Sequence, residues 1–124
     1  MDLTFLHARL ATAAILFAAA CGIWGLYTYG RRRGVDGNYW GALAVGELLM
    51  IAQGLVGVML WLQMQRPARP AIHILYGVVA ILAWPAAYLY TQGRDTRREA
   101  LIYGLVGLFL VGVTLRAQMT GRGF

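Results

Sequence analysis

Four apolar stretches, separated by short polar segments, organise this chain. They cover residues 10–29, 39–63, 71–92 and 100–115, and Glu47 is the only charged residue inside them. A helix needs about 20 residues to cross a hydrocarbon core, so the first three stretches are long enough, and the fourth becomes so when residues 116–119 are included. No segment alternates apolar and polar residues as the strands of a membrane barrel do. The pattern predicts an all-α membrane protein, a bundle of four transmembrane helices.

Breaks between the stretches give the helix bounds. We expect helices over residues 4–29, 39–65, 70–92 and 96–120. Glycines and three consecutive arginines fill the first loop, two prolines end the second helix, and Gly121 and Gly123 follow the fourth. Pro85 lies inside the third helix and is expected to kink it.

Composition supports one membrane domain spanning residues 1–124, because 60% of the residues are hydrophobic and 13% are charged. The single cysteine, Cys21, excludes an internal disulfide and any cysteine cluster, and is expected to be a small core residue. The 11 basic residues are all arginines and are divided between both ends of the bundle. This division argues against a nucleic-acid partner and favours the lipid bilayer with its anionic headgroups.

Arginine counts suggest an orientation. Six arginines lie in the loops at 30–38 and 93–99, against five at the other face. The positive-inside rule then places both termini outside, and we expect the bacterial inner membrane. An aromatic belt is predicted at the inner interface from Tyr27, Tyr29, Tyr39, Trp40, Tyr88 and Tyr90.

The two halves of the chain resemble each other. A pattern at residues 55–64 that ends in a Gln-Met pair returns at 110–119, and the Leu-Tyr-Thr sequence at 26–28 returns at 89–91. We infer two tandem αα-hairpin repeats, over residues 4–65 and 70–120, related by a pseudo-two-fold axis along the membrane normal.

The two histidines of the chain, His7 and His73, occupy corresponding places in the two repeats. They fall at one face of the membrane on the first and third helices, which stand diagonally at about 14 Å in a four-helix bundle. That span suits two axial imidazoles on one haem b iron. A different interpretation is that duplication alone placed both histidines, without a common task. Each would then hydrogen-bond only to headgroups or loops, as histidines at a membrane interface often do.

Other residues near that face complete the predicted haem site. Small residues would give the macrocycle clearance, namely Ala11, Gly57, Gly77 and Gly112. Arginines would bind the propionates, namely Arg9, Arg66, Arg69 and Arg116.

These features resemble the small b-type cytochromes of membranes, in which histidines on different helices of a four-helix bundle hold haem. They also resemble half of a haem A synthase, although here the histidines lie on helices 1 and 3 instead of 2 and 4, and a second pair is lacking. The resemblance concerns span count and paired histidines, and the missing pair argues against enzyme activity.

Two other cofactors fit the same residues. Bacteriochlorophyll is also held by histidine. Cu(I) would use His7 and His73 together with the thioethers of Met64 and Met119.

Glu47 is the only acid far from a loop, and an ionisable group within a span is a functional candidate. It could serve a proton or quinone site, or it could simply bond to a tyrosine or to an arginine of the inner loops.

Three functions therefore stay open. The first is a b-type haem protein in electron transfer, alone or within a larger respiratory or photosynthetic membrane complex. The second is a cofactor-free accessory or assembly subunit, in a larger complex or a homo-oligomer. The third is a small transporter or channel that uses Glu47.

Overall fold

The computed structural model describes residues 2–123, so the first and last residues of the predicted 1–124 domain lie outside the described part. Its helices are α1 (Leu3–Gly30), α2 (Gly37–Leu62), α3 (Pro70–Thr91) and α4 (Arg97–Arg122). Each is long and apolar enough to cross a membrane. The predicted all-α bundle of four spans is confirmed, with helix ends within three residues of those expected.

Polar side chains and special backbone conformations define the helix ends. The Asp2 carboxylate accepts from Thr4 N at 2.9 Å and the Asp36 carboxylate from Tyr39 N at 2.9 Å, each satisfying a free amide of a first turn. Thr96 and Glu99 form a capping box at the start of α4. At the other end of α3, Gln92 adopts a left-handed conformation with φ of 55°. The helix runs through Pro85 without interruption.

The helices follow one another around the bundle, so α1 lies diagonal to α3 and α2 to α4, with no backbone contact across either diagonal in residues 2–123. One end of the bundle, here called the terminal end, holds the start of α1, the α2–α3 connection and the end of α4. There the Thr4 hydroxyl donates to Gln65 Oε1 at 2.9 Å, and Arg69 N donates to Thr120 O at 3.2 Å. The opposite end, here called the loop end, holds the α1–α2 and α3–α4 loops. There Val35 N donates to Asp95 O at 2.8 Å. The first bond lies within the first hairpin, the second joins the connection between the hairpins to α4, and the third joins the loop of one hairpin to the loop of the other.

Packing between the hairpins is unequal. The α1–α4 interface is the most extensive in the bundle and the α2–α3 interface the least. A two-fold axis that exchanged the hairpins would make these two interfaces equivalent. The pseudo-two-fold relation therefore holds for the order of the helices and not for their packing.

Small residues allow the close approach of α1 and α4. A Cβ on Gly104 would lie 2.9 Å from Leu26 N, and one on Gly107 would lie 2.8 Å from Gly22 N. Both helices carry small residues at the same spacing, Ala18, Gly22 and Gly25 on α1 and Ala100, Gly104 and Gly107 on α4. Such spacing lets two backbones pack directly in a membrane.

Solid packing is concentrated towards the loop end. Tyr39 and Tyr103 are each 1% exposed, and their hydroxyls bond to Cys21 O at 2.8 Å and to Thr91 Oγ1 at 2.9 Å. Cys21 is buried among these residues. Tyr39 therefore lies inside the bundle, and its predicted place in an interfacial aromatic belt is wrong, because its hydroxyl finds a carbonyl acceptor in the core.

We predict that Gly104→Ala destabilises the protein by about 1–3 kcal/mol, the usual cost of overpacking, because the new methyl group would meet the backbone of α1. Gly112→Ala is the matched control, since a Cβ there meets no atom within 4 Å. Thermal unfolding in mild detergent compares the stability of both variants with that of the unaltered protein. Equal stability of the two would contradict the direct backbone contact.

Candidate cofactor site

Two imidazole rings face each other across the terminal half of the bundle. His7 lies in the second turn of α1 and His73 in the first turn of α3. Their ring centroids are 6.3 Å apart and their planes are inclined by 61°. The two helices stand diagonally across the bundle, and no other helix separates the two rings. The structure therefore brings the two predicted residues together.

Helix α4 fixes the His73 ring. Its Nδ1 lies 2.7 Å from Ala117 O and 3.4 Å from the Thr120 hydroxyl. A carbonyl oxygen can only accept, so Nδ1 carries the proton and donates. Nε2 is then left with its lone pair, which is the arrangement that most metal-bound histidines show. Gly121, also on α4, allows the ring to pack closely against that helix, because a Cβ there would lie 3.1 Å from Cε1 of His73.

His7 is held differently. Its Nδ1 is buried and finds no hydrogen-bond partner within residues 2–123. The neighbouring helix makes room for the ring at Gly57, where a Cβ would lie 3.4 Å from Cε1. A buried nitrogen without a partner costs free energy, and such groups in native proteins call for an explanation. An ion or a polar ligand beside this ring would supply one.

A cavity of about 690 Å³ surrounds the two histidines, and all four helices line it. Ligand pockets in proteins typically enclose about 300–1,000 Å³. Its lining is mostly apolar, and a Cβ on Gly77 would meet no atom within 4 Å. Val58 of α2 and Ile74 and Val78 of α3 line the cavity and are exposed. The cavity therefore opens sideways between α2 and α3, where the helices pack least.

Polar side chains gather at the terminal end of this cavity. Of the four predicted arginines, Arg66 lines it, and its guanidinium stacks on Trp61 at 3.9 Å and donates to Trp61 O at 2.8 Å. Arg9 stacks on Phe5 at 5.0 Å instead. Arg9, Arg69 and Arg116 lie outside the lining.

Arg122 was not predicted and does line the cavity, together with Gln65 and Thr4. The helical spacing of Thr114, Gln118 and Arg122 places all three on one face of α4. Extending the predicted fourth helix beyond Thr120 would have found this arginine.

The small residues divide in the same way. Ala11, Gly57 and Gly77 line the cavity, whereas Gly112 is exposed on the outside of the bundle. Met64 and Met119 are 76% and 43% exposed, and neither lines the cavity. The thioethers of the Cu(I) hypothesis are thus not brought to the histidines.

Within residues 2–123, no group of three or more His, Cys, Asp or Glu side chains is placed to hold a metal ion. Neither a known protein family, nor a curated protein, nor a solved structure shows significant similarity to this chain.

We predict that Nδ1 of His73 carries a proton in protein prepared without added cofactor, because the Ala117 carbonyl oxygen can only accept. Long-range ¹H–¹⁵N spectra of histidine-labelled protein in detergent report the tautomer. The His7→Gln variant leaves one histidine and so assigns the signals. An Nε2–H signal for His73 without an Nδ1–H signal would show that the bond to Ala117 is not made.

Proposed function

We propose that this protein is a small integral-membrane b-type haem protein in which His7 and His73 are the axial ligands. The distance between the two rings carries the proposal. A ligating imidazole nitrogen lies about 2 Å from its metal and about 1 Å from its own ring centre, so two imidazoles on opposite sides of one iron have centroids about 6 Å apart. The observed separation is 6.3 Å.

Two protein ligands favour a porphyrin over a bare metal ion. Structural metal sites in proteins usually have four ligands from side chains, and the described residues offer no such group here. A haem brings four nitrogens of its own and needs only two axial ligands. His7 Nδ1 has no hydrogen-bond partner within residues 2–123, and the bond that His73 Nδ1 donates to Ala117 leaves His73 Nε2 with a lone pair that an iron could use.

The cavity also suits a flat apolar group with an acidic edge. Its walls are mostly apolar, with open space beside Gly77, while Arg66 and Arg122 stand at the terminal end. These guanidiniums would form charge-assisted hydrogen bonds with propionates at the membrane surface. Protein interiors hold few voids larger than a water molecule, so a cavity of about 690 Å³ calls for an occupant.

The chain's own residues point to electron transfer and not to catalysis. A haem bound there would supply one-electron redox chemistry. If His7 and His73 both held the iron, no coordination position would remain for a substrate. His73 is oriented by α4 through Ala117, and the lining of the cavity is mostly apolar. Electrons would then reach a partner within a larger membrane complex or a second copy of the chain.

An optical spectrum of protein purified from haem-replete cells tests this proposal. We expect a Soret band with α and β bands on reduction, typical of two imidazole ligands, and loss of these bands in His7→Gly and His73→Gly. Free imidazole should restore them in both variants, because the folded cavity would accept the added ligand. A colourless, folded preparation would refute the proposal and favour the cofactor-free accessory subunit. A spectrum of bacteriochlorophyll or a bound copper ion would favour those cofactors.

A cavity-filling variant gives an independent prediction. Gly77→Phe should lower haem content at least tenfold while both histidines remain, because the new ring would occupy the open space beside Gly77. Gly112→Phe, on the exposed outer side of α4, is the matched control and should retain haem. Haem content per protein, measured as the pyridine complex, decides between them. Equal haem content in the two variants would place the cofactor elsewhere.

A further inference from the structure

A second cavity of about 210 Å³ lies along the interface between α2 and α3, here called the α2–α3 seam. It is nearer to the loop end than the first cavity and shares no lining residue with it. Helix α2 contributes Glu47, α3 contributes Trp84 and Pro85, and α4 contributes Tyr103. The Trp84 ring packs where Gly46 leaves room, since a Cβ on Gly46 would lie 2.7 Å from Cζ3. The haem proposal uses none of these side chains.

Two polar atoms at this cavity have no partner. Trp84 is 3% exposed, and its Nε1 is buried without a hydrogen bond within residues 2–123. Glu47 Oε1 is in the same condition, and no tyrosine or loop arginine bonds to it. An indole nitrogen only donates, and a carboxyl group can accept or, when protonated, donate. A ligand that satisfied both atoms would offer an oxygen acceptor to Trp84 and a hydrogen bond to Glu47.

Aromatic rings form the walls. Trp40 makes edge contacts with Tyr88 at 5.8 Å and with Tyr103 at 5.3 Å between ring centroids. The Tyr103 hydroxyl is already bonded to Thr91, so it is not the group that awaits a ligand. An aromatic pocket with a few convergent polar groups is typical of sites for small ring compounds.

Size and position narrow the ligand class. An apolar cavity of about 150 Å³ can hold benzene, so 210 Å³ accommodates one substituted six-membered ring and excludes a macrocycle. Ala44 and Tyr88 line the cavity and are exposed on membrane-spanning helices, so the opening faces the lipid. The ligand is then a lipid-soluble ring whose tail extends into the bilayer.

We propose that this cavity binds the headgroup of a membrane quinone. A quinone oxygen accepts from Trp84 Nε1, and the protonated Glu47 carboxyl donates to an oxygen of the ring. The reduced form fits the same groups, because a quinol hydroxyl accepts from Trp84 and donates to a Glu47 carboxylate. The apolar walls and the opening towards lipid admit a prenyl or alkyl tail.

Binding of decyl-ubiquinone to the purified full-length chain in detergent tests the proposal. Calorimetric titration should show one saturable site, and Trp84→Phe and Glu47→Leu should each raise Kd about tenfold, as expected for a lost buried hydrogen bond. Trp24→Phe and Gln53→Leu are the controls. Trp24 lies outside both cavities, and Gln53 lines the first one with its own unpartnered Oε1. Neither control should change Kd.

Photoaffinity labelling of the unaltered chain with an azidoquinone keeps the proposal testable if a variant fails to fold. Label on peptides that contain residues 40–47 or 84–88 supports it. Label confined to other peptides, an unchanged Kd in both cavity variants, or no saturable binding would overturn it. His73→Gly should keep the quinone site, so loss of haem with retained quinone binding separates the two proposals.

Discussion

Direct backbone contact between α1 and α4 is the constraint on which the rest of the bundle depends. Between helices in a membrane, the surrounding lipid is as apolar as the side chains, so association rests on close packing and not on the hydrophobic effect. Small residues on both helices allow that closeness, and a Cβ on Gly25 would lie 2.6 Å from Gly104 Cα. The two hairpins are thereby drawn together along one seam. The opposite seam, between α2 and α3, packs least, and both cavities open along it.

The open seam gives the diagonal histidines their setting. His7 lies on the helix of the tight seam and His73 on a helix of the open one, and the rings meet across space that a uniformly packed bundle would fill with side chains. Towards the loop end, the seam is closed by large rings such as Trp84 and Tyr103, which leave room for a single small ring. Packing asymmetry thus produces two compartments of different size from hairpins of similar sequence.

Span number, helix ends and the approach of the two histidines could be predicted from apolar length, capping residues and the repeat. Which glycines face a neighbouring helix and which face the lipid could not be predicted. Gly104 is buried against α1 and Gly112 is exposed, although both stand in equally apolar surroundings in the sequence. In a soluble helix the polar face would distinguish them, but lipid removes that contrast. The repeat also misled, because it equates Gly57 with Gly112, whereas only Gly57 lines the first cavity.

The difference between the two histidines bears most directly on their function. Duplication explains why both exist, and a duplicate kept only for structure would be expected to find the same kind of hydrogen bond twice. Instead, α4 orients the His73 ring through Ala117, while His7 Nδ1 is buried without a partner. An unsatisfied buried nitrogen is unfavourable by itself, and in the proposed haem site a bond to a ligand would relieve that cost. The proposal of a shared ligand therefore rests on the asymmetry of the pair more than on its symmetry in the sequence.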